Sequence, residues 1–340
     1  MISGVRPSSF RSIRMIILLI LLAVSMLLGI AIGPVRLTLA QVIHGVFHPN
    51  GSAPNDIIVS ALREPRVVCA ALVGAALSVS GVIVQSVFKN PMADPGILGV
   101  SSGGTLGAVI ALALGWDIAS PYILPLCAFL LAGLSVTIVY LLATRSGRTS
   151  LIGVLLAGLV VSSMIGAAVS LVLTLVNNES MRSIVFWLLG GFDGDGWSQV
   201  GMIAPPILLG IVIVLFYARP LDLLHLGEDN AYSSGVSVEW TKRILITLVA
   251  VMTGAAVSVS GMIGFVGLLV PHMARRLVGS SHALLIPASA LLGASLLILA
   301  DMLGRSIDPL FEINVGVVTS FLGGPFFLTL LLRTERKTFR

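Results

Sequence analysis

The chain has 340 residues, of which 56% are hydrophobic and 10% charged, with a formal net charge of +5 at pH 7. Soluble domains average about 45–50% apolar and 25% charged residues, so this composition excludes a soluble globular protein and describes a polytopic helical membrane protein. The basic residues collect at the ends of apolar runs, as the positive-inside rule requires, and this excludes a nucleic-acid-binding face.

Residues 1–14 carry Arg6, Arg11 and Arg14 ahead of an apolar run from Met15 to Ile32. That run is longer than the ~7–15-residue core of a signal peptide and reads as an uncleaved first span. Gly33 to Leu62 is mixed and rich in proline, an extramembrane loop with a short amphipathic helix expected around Leu39–Phe47. Span 2 is expected from Arg63-Glu64-Pro65-Arg66 to about Val87, with proline in the first turn where its missing N–H costs nothing. Spans 3 to 6 follow at about Leu98–Leu114, Tyr122–Ala143, Leu151–Val176 and Val200–Tyr217, and spans 9 and 10 at about Ala283–Leu303 and Val315–Leu332.

Ile244 to Ala274 would make about 46 Å of helix against a hydrocarbon core of about 30 Å, too long for one span and short for two. Charge decides. With ten spans both termini are cytoplasmic, together with Lys89, Arg145, Arg148, Arg219, Lys242, Arg243, Arg275 and Arg276, while only Arg36, Arg63, Arg66, Arg182 and Arg305 fall outside. The segment is therefore expected to break near Gly261-Met262-Ile263-Gly264, giving spans 7 and 8.

The stretch Gly74-Ala75-Ala76-Leu77-Ser78-Val79-Ser80-Gly81-Val82-Ile83 returns as Gly254-Ala255-Ala256-Val257-Ser258-Val259-Ser260-Gly261-Met262-Ile263, an internal repeat. Span 2 runs inward and span 7 outward, so the repeat is inverted. The fold expected is an all-α single transmembrane domain over 1–340, ten helices in two inverted five-helix halves at about 15–180 and 197–333. The small residues Gly74, Ala75, Ser78 and Gly81 are expected to let helices approach closely. Cys69 and Cys127 lie in apolar runs with no metal-ligand spacing and form no disulfide framework.

Three stretches could carry function. Asn90-Pro91-Met92-Ala93-Asp94-Pro95-Gly96 is poor helix and good turn, either a tight inter-span connection or a cytoplasmic constriction. The insertion Arg219–Arg243 holds Gly227-Glu228-Asp229-Asn230-Ala231-Tyr232-Ser233-Ser234-Gly235, a two-turn helix with acids at its start, which is either a solvated surface helix or a docking element for a soluble partner. Asp301, near the end of span 9, is expected near the outer boundary or inside the bundle. His44 and His48, four apart, are read as part of a weakly amphipathic loop helix in preference to a metal or haem contact, and His272 as a capping or packing residue. There is no phosphate-binding loop, nucleophile elbow or zinc motif, so an enzyme and a resident metal are not expected. With Asp301 nearly alone, a pump must draw its energy from a separate ATPase; an ATP-independent carrier using Asp301 as a proton site is the rival.

The run Leu62-Arg63-Glu64-Pro65-Arg66-Val67, the repeat at Gly74–Gly81, Gln85 and Asn90–Gly103 resemble the FecCD-type permeases of ATP-binding-cassette importers. So do Gly190-Gly191-Phe192, Gly227-Glu228, Gly264–His272, Leu299-Ala300-Asp301 and Gly316–Thr319. The resemblance implies a multi-pass inner-membrane permease for ferric siderophores, haem or vitamin B12. It implies ten spans, a homodimer in lipid, two cytoplasmic ATPase subunits that use ATP, an extracytoplasmic binding protein, and no cofactor on this chain. Position by position, it places a cytoplasmic gate at Asn90, Met92, Thr149 and Ser150 and binding-protein docking at Arg63, Arg66 and Arg305. It places ATPase coupling at Gly227, Glu228, Asp229, Ala231 and Gly235. Met92 stands where leucine is common, Ser234 replaces the usual leucine before Gly235, and Asn314 stands where proline is common.

Overall fold

The computed structural model describes residues 8–35, 37–47, 53–146, 148–307 and 312–338. In chain order the helices are α1 (Ser8–Ala31), α2 (Leu39–Phe47), α3 (Pro54–Ile57), α4 (Glu64–Val87), α5 (Val100–Ala113), α6 (Ile123–Ala143) and α7 (Leu151–Leu175). They continue as α8 (Asn178–Leu188), α9 (Trp197–Phe216), α10 (Ala218–Leu226), α11 (Glu228–Ser233), α12 (Val238–Ser260), α13 (Val266–Val278), α14 (His282–Ser306) and α15 (Val315–Thr338). A two-residue hairpin, Thr144–Arg145 paired with Arg148–Thr149, joins α6 to α7.

Seven helical stretches among the described residues are long and apolar enough to cross a membrane: α1, the continuous Pro54–Val87, α6, α7, α9, α12 and α14. α5 and α13 are shorter, at 14 and 13 residues. The reason is local. A 3-10 turn, Pro95–Leu98, leads into α5, and the non-helical Gly261–Phe265 leads into α13. The break thus falls where the glycines predicted it, with Gly261 in a left-handed conformation at φ 64°.

The second span begins earlier than expected. Pro54 opens α3, and a π-helical stretch, Ile58–Arg63, carries it straight into α4. Pro65, with no N–H, cannot close a π-type ring onto the Ser60 carbonyl; Trp197 Nε1 donates to that carbonyl at 2.8 Å. Two helices went unread in the sequence, α8 and α10. Their mixed composition resembles loop, and each has only one apolar face to pack.

α4 is apolar nearly all round and correspondingly buried on almost every side, which makes it the central helix. It packs antiparallel to α14 through a glycine pair: a Cβ on Gly74 would lie 2.2 Å from the Gly293 carbonyl oxygen. Gly81 is equally tight, its Cβ position 1.9 Å from the Gly267 carbonyl oxygen of α13. Close backbone approach of this kind is how helices gain dispersion contact where lipid offers no hydrophobic drive. α4 therefore packs into α13 and α14, while α12, which carries the second copy of the repeat, packs into α5 and α6. Cys69 is buried and Cys127 half-buried, and both are free thiols.

Candidate functional site

Two polar clusters pin the ends of the α4–α14 pair. At the start of α4, Arg66 Nε lies 3.0 Å from Asp301 Oδ1 of α14, and its Nη2 lies 2.9 Å from Glu312 Oε2. Asp193 stands 3.8 Å from the same guanidinium. Arg305, one turn beyond Asp301, places Nε 2.9 Å from Asp301 Oδ2 in an off-axis ion pair rather than an aligned hydrogen bond, and donates from Nη2 to the Gly29 carbonyl. Arg63 donates to the carbonyls of Ile30, Ala31 and Val35, closing the end of α1. Asp301 is 1% exposed and is charge-compensated within the bundle, which explains a carboxylate inside an apolar helix.

The three arginines do not stand free. The docking role implied by the resemblance has them meeting carboxylates of another protein; here Arg66 and Arg305 meet the chain's own, and Arg63 meets backbone carbonyls. The cause is burial: Arg63 and Arg305 are 5% and 3% exposed, so their donors must be satisfied internally. Arg66 is the most exposed of the three and lines a cavity of about 660 Å³ with Trp187, Phe192, Asp193, Glu312 and Asn314, while Arg63 and Arg305 edge a smaller one of about 350 Å³. Asp195, in the loop before α9, has its carboxyl pushed well above the usual range, first by burial and then by the Asp301 and Asp193 carboxylates, with Arg66 opposing.

The other end of the bundle carries the α10–α11 insertion. Gly227, at φ 137°, separates α10 from α11, and Glu228 and Asp229 occupy the first turn of α11. Ala231 is wholly buried. Gly235, left-handed at φ 82°, donates to the Tyr232 carbonyl while Val236 N–H reaches the Ala231 carbonyl, a Schellman ending. Ser234 is exposed, so the position where leucine is usual contributes no packing here.

The implied gate residues sit on two segments at this end. Asn90 is exposed, and its Oδ1 accepts from Met92 N at 2.9 Å, an Asx turn following α4. Met92 is half-buried. Thr149 is 5% exposed and bonds Tyr140 and Thr144 through its hydroxyl, and Ser150 caps α7 by accepting from Gly153 N at 3.1 Å. Among the described residues no hydrogen bond joins the Asn90–Met92 turn to Thr149 or Ser150 within the chain.

Two further networks tie the insertion to Thr149 and to the last turn of α4. Lys242 Nζ lies 2.7 Å from Glu228 Oε1 and 3.2 Å from Glu239 Oε1, and Glu239 Oε2 accepts the Thr149 backbone N–H at 3.0 Å. On the other side, Asp222 of α10 lies 2.5 Å from His282 Nδ1, and His282 Nε2 lies 2.6 Å from Ser86 Oγ of α4. Ser86, His282 and Asp222 have the contact order of a hydrolytic triad, but Ser86 is wholly buried and its hydroxyl also bonds the Val82 carbonyl, so no substrate reaches it. A Glu and Lys three apart at the head of a span were the only sequence trace of the first network.

A model of the FecCD transport family matches residues 20–333. The chain belongs to the FecCD family. This FecCD permease is 42% identical over 82% of its length to 74% of a cobalamin import system permease protein of Halobacterium salinarum. It is 36% identical over 96% of its length to 97% of an Fe(3+)-citrate import system permease protein of Bacillus subtilis. Among solved structures, an inward-facing metal-chelate type ABC transporter matches with a TM-score of 0.84 and 32% identity, covering 94% of this chain and 98% of that one. The FecCD permease is thus a multi-pass membrane subunit of an ABC importer and not an enzyme; ATP hydrolysis belongs to partner subunits.

His44 and His272 have plain packing and pairing roles. His44 Nδ1 lies 3.0 Å from Asp56 Oδ1, joining α2 to α3, and His48 lies outside the described residues. His272 packs edge-on against Phe326 at 6.1 Å between centroids. No group of His, Cys, Asp or Glu with metal-binding geometry occurs among the described residues.

Proposed function

We propose that this permease moves a ferric siderophore inward by alternating access, driven by two cytoplasmic ATPase subunits and supplied by an extracytoplasmic binding protein. The observation that carries the reading is the α10–α11 insertion, which presents Tyr232 and Leu226, 77% and 69% exposed, beside Glu228 and Asp229. Large apolar side chains on a polar rim are the anatomy of a protein contact, here the ATPase. The insertion then faces the cytoplasm, both termini lie there too, and the Arg66 end faces outward.

Ten crossings follow if α5 and α13 complete their passage with the non-helical leads before them and α15 makes the last. The reciprocal packing of α4 into α13 and α14, and of α12 into α5 and α6, supports two inverted halves. α7 is exposed along much of its length, through Ile152, Leu156, Leu159 and Met164, which suits a helix facing a second copy of the chain across the pathway. Asn90, Met92, Thr149 and Ser150 from both copies would then form the cytoplasmic gate. Arg66 remains the docking position most accessible to the binding protein, with Arg63 and Arg305 setting its frame from beneath.

Ferric siderophore is the first choice by family frequency; the Fe(3+)-citrate relative and the metal-chelate transporter align over nearly the whole chain, as a vitamin B12 import system permease protein also does. The test is ATP hydrolysis by the reconstituted complex with its binding protein. Stimulation by a ferric siderophore is expected; stimulation by haem or vitamin B12 instead assigns the substrate otherwise, and uptake without any ATPase subunit rejects the importer mechanism.

A further inference from the structure

We propose that Lys242 and His282 are positioning residues that link the α10–α11 insertion to the two gate segments, so that its movement is transmitted through paired side chains. This rests on the reading of the insertion as the ATPase contact. The first path starts at Glu228 in α11, crosses 2.7 Å to Lys242 of α12, passes 3.2 Å to Glu239, and ends on the Thr149 backbone N–H. The Glu239 carboxylate uses one oxygen for each partner, so it holds the head of α12 and the hairpin before α7 in one geometry. Thr149 is locked in turn by Tyr140 and Thr144.

The second path starts at Asp222 in α10, whose Oδ1 accepts from both the backbone N–H and the ring Nδ1–H of His282. The opposite ring nitrogen meets Ser86, one helical turn before Asn90. The insertion therefore holds the Thr149 segment through α12, and through α14 it holds the last turn of α4 that leads into Asn90. Neither path touches the outer cluster.

Burial makes these links stiff. Lys242 is 3% exposed and His282 2%, so a lost partner leaves a buried polar group without water to replace it, and the pairs are expected to move together before they separate. The carboxylates at the insertion, Glu228 and Asp222, are 41% and 40% exposed, which leaves that end able to respond to a partner. Two discrete arrangements joined by such contacts are the physical content of transmission between sites.

The experiment measures substrate transported per ATP hydrolysed by the reconstituted permease with its ATPase subunits and binding protein. Lys242→Met keeps the side-chain stem and removes the charge; Ser86→Ala cuts the second path. Each is expected to lower transport per ATP by about 2- to 30-fold while ATPase subunits stay bound, and the double variant by more. Lys242→Arg is expected to restore part of the loss, as a purely structural role read only in thermal stability would not. Unchanged transport per ATP in the double variant overturns the proposal. If Lys242→Met does not assemble, Glu239→Gln, at a half-exposed position, decides: unchanged coupling there overturns it equally. A wild-type complex whose ATPase subunits bind elsewhere than the insertion rejects the functional reading itself.

Discussion

Arg66 and Asp301, 235 residues apart in the chain, are joined at 3.0 Å and fasten the ends of α4 and α14 away from the α10–α11 insertion. Asp301 lies between Arg66 and Arg305, so Asp301→Asn leaves two guanidiniums without their shared counter-charge. Loss of one partner from a buried ionic cluster costs about 3–5 kcal/mol. Denaturant unfolding of the solubilised protein is expected to show that loss, and Asp301→Asn combined with Arg305→Gln should recover part of it. A single variant as stable as wild type would remove the cluster from the account of the fold.

The same geometry separates the three implied docking arginines. Arg66→Gln should weaken association with the binding protein by about 2–5-fold at low salt, the scale of a solvent-exposed pair, with the difference shrinking as salt rises. Glu312→Gln, which frees one edge of Arg66, should tighten it. Arg66→Gln also removes a partner of Asp301, so its docking is compared on folded protein; Arg63→Gln should act on stability alone, since its donors close carbonyls at the end of α1. Equal, salt-independent effects of Arg63 and Arg66 substitutions on docking would contradict this division.

Glycine substitutions should split by position. Gly81→Val and Gly74→Val force side-chain atoms onto the backbone of Gly267 and Gly293 and should cost ~3 kcal/mol or more, read as loss of monodisperse protein. Gly133→Ala and Gly166→Ala, with nothing within 4 Å of the added Cβ, should be neutral or slightly stabilising. Similar losses at all four sites would place the effect in insertion or expression, not packing.

Asp94 lies in the connection after α4, where its side chain accepts from Gly96 N–H. Burial raises its carboxyl above the usual range, and the Gly96 N–H pulls only partly back. The folded state therefore holds this proton more tightly than the unfolded chain. The contribution to stability is present in full below the unfolded value of about 3.9 and is lost as pH rises through the higher folded one. Asp94→Asn keeps the turn and removes the titration. Its melting temperature relative to wild type should therefore rise between pH 4 and 7; a constant difference would show that the group does not titrate between states.

Tyr232→Ala should reduce retention of ATPase subunits by about 30-fold, the scale of an aromatic hot spot, with the permease itself still folded because that side chain packs on little of its own chain. Co-purification against a Ser234→Leu variant, expected to gain retention, is the check. Undiminished retention in Tyr232→Ala would move the ATPase contact elsewhere.

The repeat shows where sequence reading stops. Residues 74–83 and 254–263 match at eight of ten places, yet helix α4 runs through Gly81 to Val87 while α12 ends at Ser260. Gly264, three residues after Gly261, hinted at the break. The Trp187 carbonyl, 2.3 Å from where a Gly261 Cβ would stand, and the Gly191 N–H bond to the Ser260 carbonyl hold it. Those partners come from α8 and the turn after it, whose mixed composition carries no span signal in the sequence.

The sequence by itself determined the environment, the helical class, the main spans, the glycine contacts of the central helix and the family, because hydropathy, charge placement and motif order are written along the chain and need no partner to be read. Only the tertiary structure decided that Arg63 and Arg305 turn inward, that Asp301 is compensated, that Lys242 pairs with Glu228 and Glu239, and that His282 joins Asp222 to Ser86. Each of those outcomes depends on which groups meet across helices up to 276 residues apart, and a buried charge takes its role from the partner that satisfies it.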